Sequence, residues 1–287
     1  MRLATGRATA ATLGTTAAPG NIRGMDAVVE VRGLKKRYGD TLVLDGIDFA
    51  VPRGSILGYI GPNGAGKTTT VRILCGLLGD FEGEARVCGF DPRKDALEIK
   101  RRIGYVPENA VLYESLSVAE FLLLVGRLHG LPDETIHARG TAFLTAFELA
   151  GHLPARIATL SKGMRQKVLI TSALLHDPQL LFVDEPLSGL DVNSAMLIKE
   201  FLRGLAAAGR TVFYCSHVMD VVERVCDRIV IVDGGHIAAE GTLAELESRV
   251  HGGSLEGIFA RLTSAGDERE RAAALLAALS PRDGAAS

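Results

Sequence analysis

An apolar run, Ser55–Ile60, leads directly into Gly61-Pro62-Asn63-Gly64-Ala65-Gly66-Lys67-Thr68 and then into Thr68–Leu78, where Val71, Leu74, Leu77 and Leu78 recur at helical spacing. A continuous apolar run that stops at Gly and Pro reads as a buried strand breaking into a loop. The eight residues fit G-x-x-x-x-G-K-[ST] in the strand–loop–helix setting that this pattern requires. Glycines let backbone N–H groups converge on phosphate oxygens in conformations that a side chain would block. The helix beginning at Lys67 adds the positive end of its dipole. In this pattern Lys67 reaches the β- and γ-phosphates of a nucleoside triphosphate, and the Thr68 hydroxyl ligates Mg2+. A plain glycine-rich turn would not need the whole pattern in this order.

Downstream, strand-like runs at Ile103–Val106, Leu180–Val183, Thr211–Cys215 and Arg228–Val232 alternate with helical patterns at Lys162–Leu175, Val192–Ala208 and Val218–Val225. That alternation predicts a mostly parallel sheet covered by helices on both faces. Upstream, Val28–Val31 and the alternating Val43–Val51 read as antiparallel strands. From Ser117 to Ala150 two helical patterns meet at Gly130-Leu131-Pro132-Asp133, and with Lys162–Leu175 they make a mostly helical block inserted between strands. Leu180–Val183 ends in Asp184-Glu185-Pro186, which puts two carboxyl groups at the edge of the sheet where α/β folds place ligands. There Asp184 can hold Mg2+ through water and Glu185 can act as general base on an attacking water. The same tripeptide alone would read equally well as a helix cap and turn.

These features fit many nucleotide enzymes. The narrowing segment is Leu160-Ser161-Lys162-Gly163-Met164-Arg165-Gln166, a short polar loop opening a helix. Read by itself it is a capped helix start or an anion site. With it, the stretch from Val28 to about Thr263 resembles an ABC-type ATPase, the ATP-binding subunit of an ABC transporter. The resemblance implies that the nucleotide is held by Gly61, Pro62, Asn63, Gly64, Ala65, Gly66, Lys67, Thr68 and Thr69. Tyr38 would stack on adenine, and Ser161, Lys162 and Gly163 would meet the γ-phosphate of ATP held by a second subunit. Ser188-Gly189-Leu190-Asp191 is similar to the loop that crosses the dimer interface, and His217 to the histidine that contacts the γ-phosphate and orients the catalytic glutamate. A turn with Asp191 as helix cap, and a structural histidine, are the plainer readings of those two. Glu108 stands where the family carries glutamine; it can still ligate Mg2+ but cannot donate as an amide does. Lys162 replaces a glycine and Met164 a glutamine. Lys162 either adds charge near the partner's phosphate or faces solvent.

The expected architecture is therefore an α/β P-loop NTPase with a mostly parallel core sheet, an N-terminal antiparallel β-subdomain and an inserted helical subdomain. Its parts would be a disordered extension at 1–24, an ATPase domain at 25–240 with the helical subdomain at about 109–176, and a helical extension at 241–287. Asn109–Tyr113 reads as a mobile coupling loop rather than a strand. Residues 267–279 read as one more helix and those after Pro281 as disordered. Ser254–Thr263 resembles the C-terminal segment of ABC-2-type exporter ATPases.

What the resemblance implies is a head-to-tail dimer, of two identical copies or with a paralogue, that clamps MgATP and drives a separate membrane permease. Such a subunit would be cytoplasmic, peripheral on the inner face of the membrane. An importer ATPase or a non-transport ABC ATPase is the alternative. With Lys+Arg 32 against Asp+Glu 34, a main role in gripping nucleic acid through phosphates is not expected. A spanning helix needs about 18 nearly uncharged apolar residues, and Glu120 interrupts the best candidate. The four cysteines form no C-x-x-C pair and read as reduced thiols. A single P-loop argues against a twin-cassette ribosomal protein, and the interval from Lys67 to Ser161 has no room for the long coiled coil of a DNA-repair relative. N-K-x-D, the mark of a GTPase, is missing.

Overall fold

The structure is a computed structural model that describes residues 26–110, 112–250 and 253–263, together with 276 and 278. The expected N-terminal extension, the expected helix at 267–279 apart from residues 276 and 278, and the end after Pro281 lie outside the described residues.

Strand β1 (Ala27–Tyr38) pairs with β2 (Thr41–Pro52) and later with β4 (Glu82–Val87), giving a three-stranded antiparallel sheet in the order β2-β1-β4. Strand β1 is far longer than the apolar run Val28–Val31 predicts. Register shifts between Val31 and Leu34 let it continue through charged sequence, with Leu34 and Lys36 turned inward. Lys36 is buried because its ammonium reaches out to Asp80, 2.9 Å away. Strand β4 is legible only in retrospect: Glu82 and Glu84 face water, while Ala85 and Val87 are buried with Arg86 exposed between them.

Between these strands run β3 (Ile56–Ile60) and α1 (Lys67–Leu74). Helix α1 stops short of the expected Leu78 because Gly76 takes φ +65°, and the N–H groups of Leu77 and Leu78 turn back to the Arg72 carbonyl. A left-handed glycine after the last turn satisfies the orphan carbonyls in this way. After α2 (Ala96–Lys100) and β5 (Ile103–Val106) the helical block follows: α3 (Val118–Leu128), α4 (Asp133–Ala146) and α5 (Lys162–Leu174). Ser117 starts α3 with a full capping box, its hydroxyl taking the Glu120 N–H and Glu120 returning to the Ser117 N–H. The chain then alternates through β6 (Leu180–Asp184), α6 (Val192–Ala207), β7 (Thr211–Cys215), α7 (Met219–Val225) and β8 (Arg228–Asp233). It closes with β9 (His236–Gly241), α8 (Leu243–Val250) and α9 (Leu255–Leu262).

The second sheet has the order β5-β6-β7-β3-β8-β9, parallel except for β9. One of its faces packs on the antiparallel sheet through Phe49, Tyr59, Phe213 and Phe182, whose neighbouring rings lie 5.2–6.0 Å apart. The other face is covered by α5, α6, α7, α8 and α9. A third apolar cluster lies inside the helical block, around Phe121, Leu122, Ile136 and Leu144. Helix α5 belongs to two clusters at once. Val168 faces the helical block, while Leu169, Ile170, Ala173 and Leu174 face the sheet. Among the described residues no helix is long and apolar enough to cross a membrane, and all four cysteines are free thiols.

The topology decides where chemistry can occur. Strands β6, β7 and β3 are neighbours and parallel, so the residues just past their C-terminal ends emerge side by side.

Candidate functional site

Past β3, residues 61–66 loop over before α1 begins. Gly66 takes φ +96°, and an added Cβ there would run into the Leu44 side chain. Gly61 is tighter still, since a Cβ would overlap the Val232 carbonyl oxygen, which is fixed in β8. Beneath the loop, the buried Thr70 hydroxyl donates to the Gly66 carbonyl across 3.1 Å, so it accepts from Tyr59 Oη, also 3.1 Å away. Lys67 Nζ donates to the carbonyls of Gly61 at 2.7 Å and Pro62 at 3.0 Å, so the ammonium sits inside its own loop.

Past β6, Asp184 and Glu185 are both buried, at 4% and 9% exposure. Thr68 Oγ1 donates to Asp184 Oδ2 at 3.4 Å, which ties the loop to the neighbouring strand end. Burial pushes the Asp184 carboxyl up to about 6, helped by the carboxylates of Glu108 and Glu185 and opposed by the Thr68 bond and Lys67. Glu108, just past β5, reaches the same cleft. Thr68, Asp184 and Glu108 offer oxygen donors only, and crowded carboxyl groups beside one lysine are what a hard divalent cation relieves. Mg2+ fits this donor set.

Past β7 come Ser216 and His217. Ser216 is 1% exposed and donates from Oγ to Glu185 Oε2 at 2.9 Å. His217 donates to Glu185 Oε1 twice, from its backbone N–H and from Nδ1, each at 2.7 Å. A carboxylate oxygen only accepts, so this contact places the ring proton on Nδ1. Glu185 itself has φ +50°, the left-handed region where non-glycine residues are strained. Both of its carboxyl oxygens are thus aimed by residues from the adjacent strand.

The loop, Glu108, Asp184, Glu185 and His217 line one cleft of about 680 Å³, with Ser216 buried behind Glu185. Of the residues singled out in the sequence, it brings together Gly61, Pro62, Asn63, Gly64, Gly66, Lys67, Thr68, Thr69, Glu108, Asp184, Glu185 and His217. Ala65 is buried beneath the same loop. Tyr38, 45% exposed at the end of β1, is not on the cleft wall; the Lys36 ammonium lies 4.9 Å from its ring centre. Ser161, Lys162, Gly163 and Asp191 form a separate surface. Ser161 Oγ caps α5 by accepting the Met164 N–H. Asp191 caps α6, accepting from the Ser194 N–H and hydroxyl, bonds that hold its carboxyl below the usual range. Lys162 is an exposed residue, yet its ammonium bonds Ser188 Oγ at 3.1 Å rather than ending free in solvent.

Several residues that line the cleft or lie directly behind it carry no signal in the sequence. Ser216 is a small polar residue next to a histidine, and only the direction of its hydroxyl marks it. Val43, Met219 and Phe259 also line the cleft. Phe259 arrives from α9, whose Leu255 and Ile258 are fully buried while the Leu255 N–H donates to Glu223 Oε1 at 2.5 Å.

A triphosphate-sized loop, a hard-cation donor set and a carboxyl group aimed from two sides, at adjacent ends of a parallel sheet, define a P-loop ATPase. A model of the ABC transporter family matches residues 44–188. Nod factor export ATP-binding protein I of Ralstonia nicotianae is 37% identical over 264 residues, covering 92% of this chain and 80% of that protein. Daunorubicin resistance ATP-binding protein DrrA3 of Streptomyces coeruleorubidus is 38% identical over 231 residues, 80% of this chain and 73% of that protein. A solved structure described as the ATP-binding subunit of an ABC transporter matches with a TM-score of 0.78 and 34% identity, over 82% of this chain and 99% of its own. The chain belongs to the ABC transporter family, as an ATP-binding subunit with ATPase activity.

Proposed function

We propose that this subunit hydrolyses MgATP at the cleft and thereby powers export through a separate membrane permease, from the cytoplasmic face. The direction of transport rests on the relatives, whose names specify Nod factor export and resistance to daunorubicin. The observation that carries the chemistry is the Glu185 carboxyl, held by Ser216 and His217 beside the phosphate loop.

In this reading the backbone N–H groups of residues 61–69, all but Pro62 having one, and the Lys67 ammonium take the β- and γ-phosphates, and Tyr38 meets the adenine. Thr68, Asp184 and Glu108 hold Mg2+, which when bound offsets charge on the phosphate oxygens. Glu185 accepts a proton from a water as its oxygen attacks the γ-phosphorus. The bond to the β–γ bridging oxygen breaks, leaving ADP and phosphate. His217 keeps Glu185 aimed and contacts the γ-phosphate.

Ser161, Gly163 and Asp191 lie outside the cleft of their own chain, which supports a role across an interface, while the Lys162 side chain is turned to Ser188 of its own chain. A second subunit, identical or paralogous, supplies that surface to each nucleotide, so ATP joins the pair and hydrolysis releases it. The difference in nucleotide affinity between closed and open pairs is what drives motion.

The test is Glu185→Gln. Loss of a general base lowers turnover about 10²–10⁴-fold, while the amide oxygen still accepts from His217. Phosphate release should collapse, and light scattering at saturating MgATP should show accumulated dimer. Parental turnover, or a protein that stays monomeric with and without its permease, refutes the reading.

A further inference from the structure

Lys162 occupies the first helical position of α5, a helix with no acidic residue in its first turn. A cation there opposes the helix dipole, so helix stability does not account for it. What the side chain touches does. Its ammonium donates to Ser188 Oγ at 3.1 Å, and its methylenes lie over Gly189, where an added Cβ would fall 2.9 Å from Lys162 Cδ. Two more contacts come from the same face of α5. Gln166 Nε2 donates to the Pro186 carbonyl at 3.2 Å, and Gly163 fits so close to Gly189 that a Cβ would lie 2.7 Å from the Gly189 oxygen.

The segment held in this way follows Glu185 directly. The Ser188 N–H closes a turn onto the Glu185 carbonyl at 3.1 Å. Glu185 has a left-handed backbone at φ +50°, and such a conformation persists in a non-glycine residue only where the surroundings over-determine it. On one side the determinants are the Cys215 carbonyl, which accepts the Glu185 N–H at 2.9 Å, together with Ser216 and His217. On the other side they are the contacts from α5.

We propose that Lys162 is a positioning residue for hydrolysis. By tying Ser188 to the first turn of α5 within one chain, it fixes the Glu185–Ser188 turn and so the direction of the base. This deepens the reading above and rests on Glu185 being that base.

The experiment is a double-mutant cycle on the full chain, with phosphate release measured against MgATP concentration for Lys162→Ala, Ser188→Ala, the pair together, and Lys162→Arg. A lost tether of this kind should lower kcat about fivefold in each single variant without changing KM. The double variant should fall no further, and Lys162→Arg should recover turnover. In a Glu185→Gln background, ATP-driven dimerisation should survive Lys162→Ala. Losses that multiply to about 25-fold in the double variant, an unchanged kcat, or a rise in KM with loss of dimerisation would overturn the proposal. The last of these would make Lys162 a phosphate ligand across the interface instead. Full turnover in Glu185→Gln alone would remove the base, and with it the proposal, by a result that is independent of the cycle.

Discussion

Ser216→Ala separates aiming the base from holding the nucleotide. The hydroxyl is 1% exposed, gives its proton to Glu185 Oε2 at 2.9 Å and accepts the Val218 N–H at 3.1 Å. Alanine removes both bonds at once. A hydrogen bond to a charged group contributes about 1.5–3 kcal/mol, while the N–H of Val218, an exposed residue, can turn to water at smaller cost. Glu185 keeps its two His217 bonds on Oε1, so its carboxyl can swing about that oxygen but does not leave the cleft. If about 1–2 kcal/mol of the loss appears in the transition state, kcat falls about 5- to 30-fold. The phosphate loop is untouched, so nucleotide affinity and KM should stay at parental values. Steady-state phosphate release gives kcat and KM, titration with a fluorescent ATP analogue gives affinity, and thermal unfolding reports the structural cost. A kcat within twofold of the parent, or an affinity that falls in step with kcat, would refute the claim that Ser216 acts by orienting the base.

Gly61→Ala should lower the melting temperature and abolish nucleotide binding, because its Cβ would overlap a carbonyl oxygen of β8; overpacking of this kind costs about 1–3 kcal/mol. Gly64→Ala, with φ +82° but nothing within 4 Å of the new Cβ, should cost only the left-handed strain of about 1 kcal/mol, so calorimetry of the two variants should rank Gly61 the worse. His176 predicts a pH dependence. Its Nε2 bonds the Ile103 carbonyl at 2.8 Å, its Nδ1 is buried without a partner among the described residues, and its ring stacks on His129 at 3.7 Å. Burial, with His129 adding to it, pulls its pKa down to about 4. The unfolded chain therefore binds a proton first: this site's contribution is complete above about pH 6.5 and is lost as pH falls towards 4. Allowing for its partial exposure, the loss is about 1–2 kcal/mol. Urea unfolding of parent and His176→Gln should show their stability difference shifting by that amount across this window, and a constant difference would refute it.

The sheet core and the cleft were legible in the sequence because each was written locally. Ser55–Ile60 and Leu180–Val183 are unbroken apolar runs, as strands buried on both faces must be, and each ends in the polar residues that reach the cleft. The strands missed, β4 and β9, carry charge on one face and little on the other. Glu82, Glu84 and Arg86 hide a period of two that only pairing with β1 reveals. Helix α1 ends four residues before its apolar spacing predicts: Leu77 and Leu78 keep that spacing, while the stop signal is the single glycine at 76. Ser216 and Phe259 could not be assigned beforehand for a different reason. One depends on a hydroxyl direction and the other on the docking of α9 from the far end of the chain, and periodicity encodes neither.

The sequence also did not show that the helical block and the cleft share a structural member. Val168 of α5 is buried in the block, while Leu169, Ile170, Ala173 and Leu174 are buried against the sheet. A rotation of the block that left α5 behind would expose one of these apolar faces, and each large side chain so lost costs about 2–5 kcal/mol, by analogy with truncation. Motion of the block must therefore either stop at α5 or carry it along. If α5 moves, its first turn moves with it, and that turn holds Ser188 through Lys162 and Pro186 through Gln166. The backbone that presents Glu185 is then displaced by the same motion. A displacement of the helical block that carried α5 would thus reach Glu185, the proposed base, through that helix, without passing through the phosphate loop.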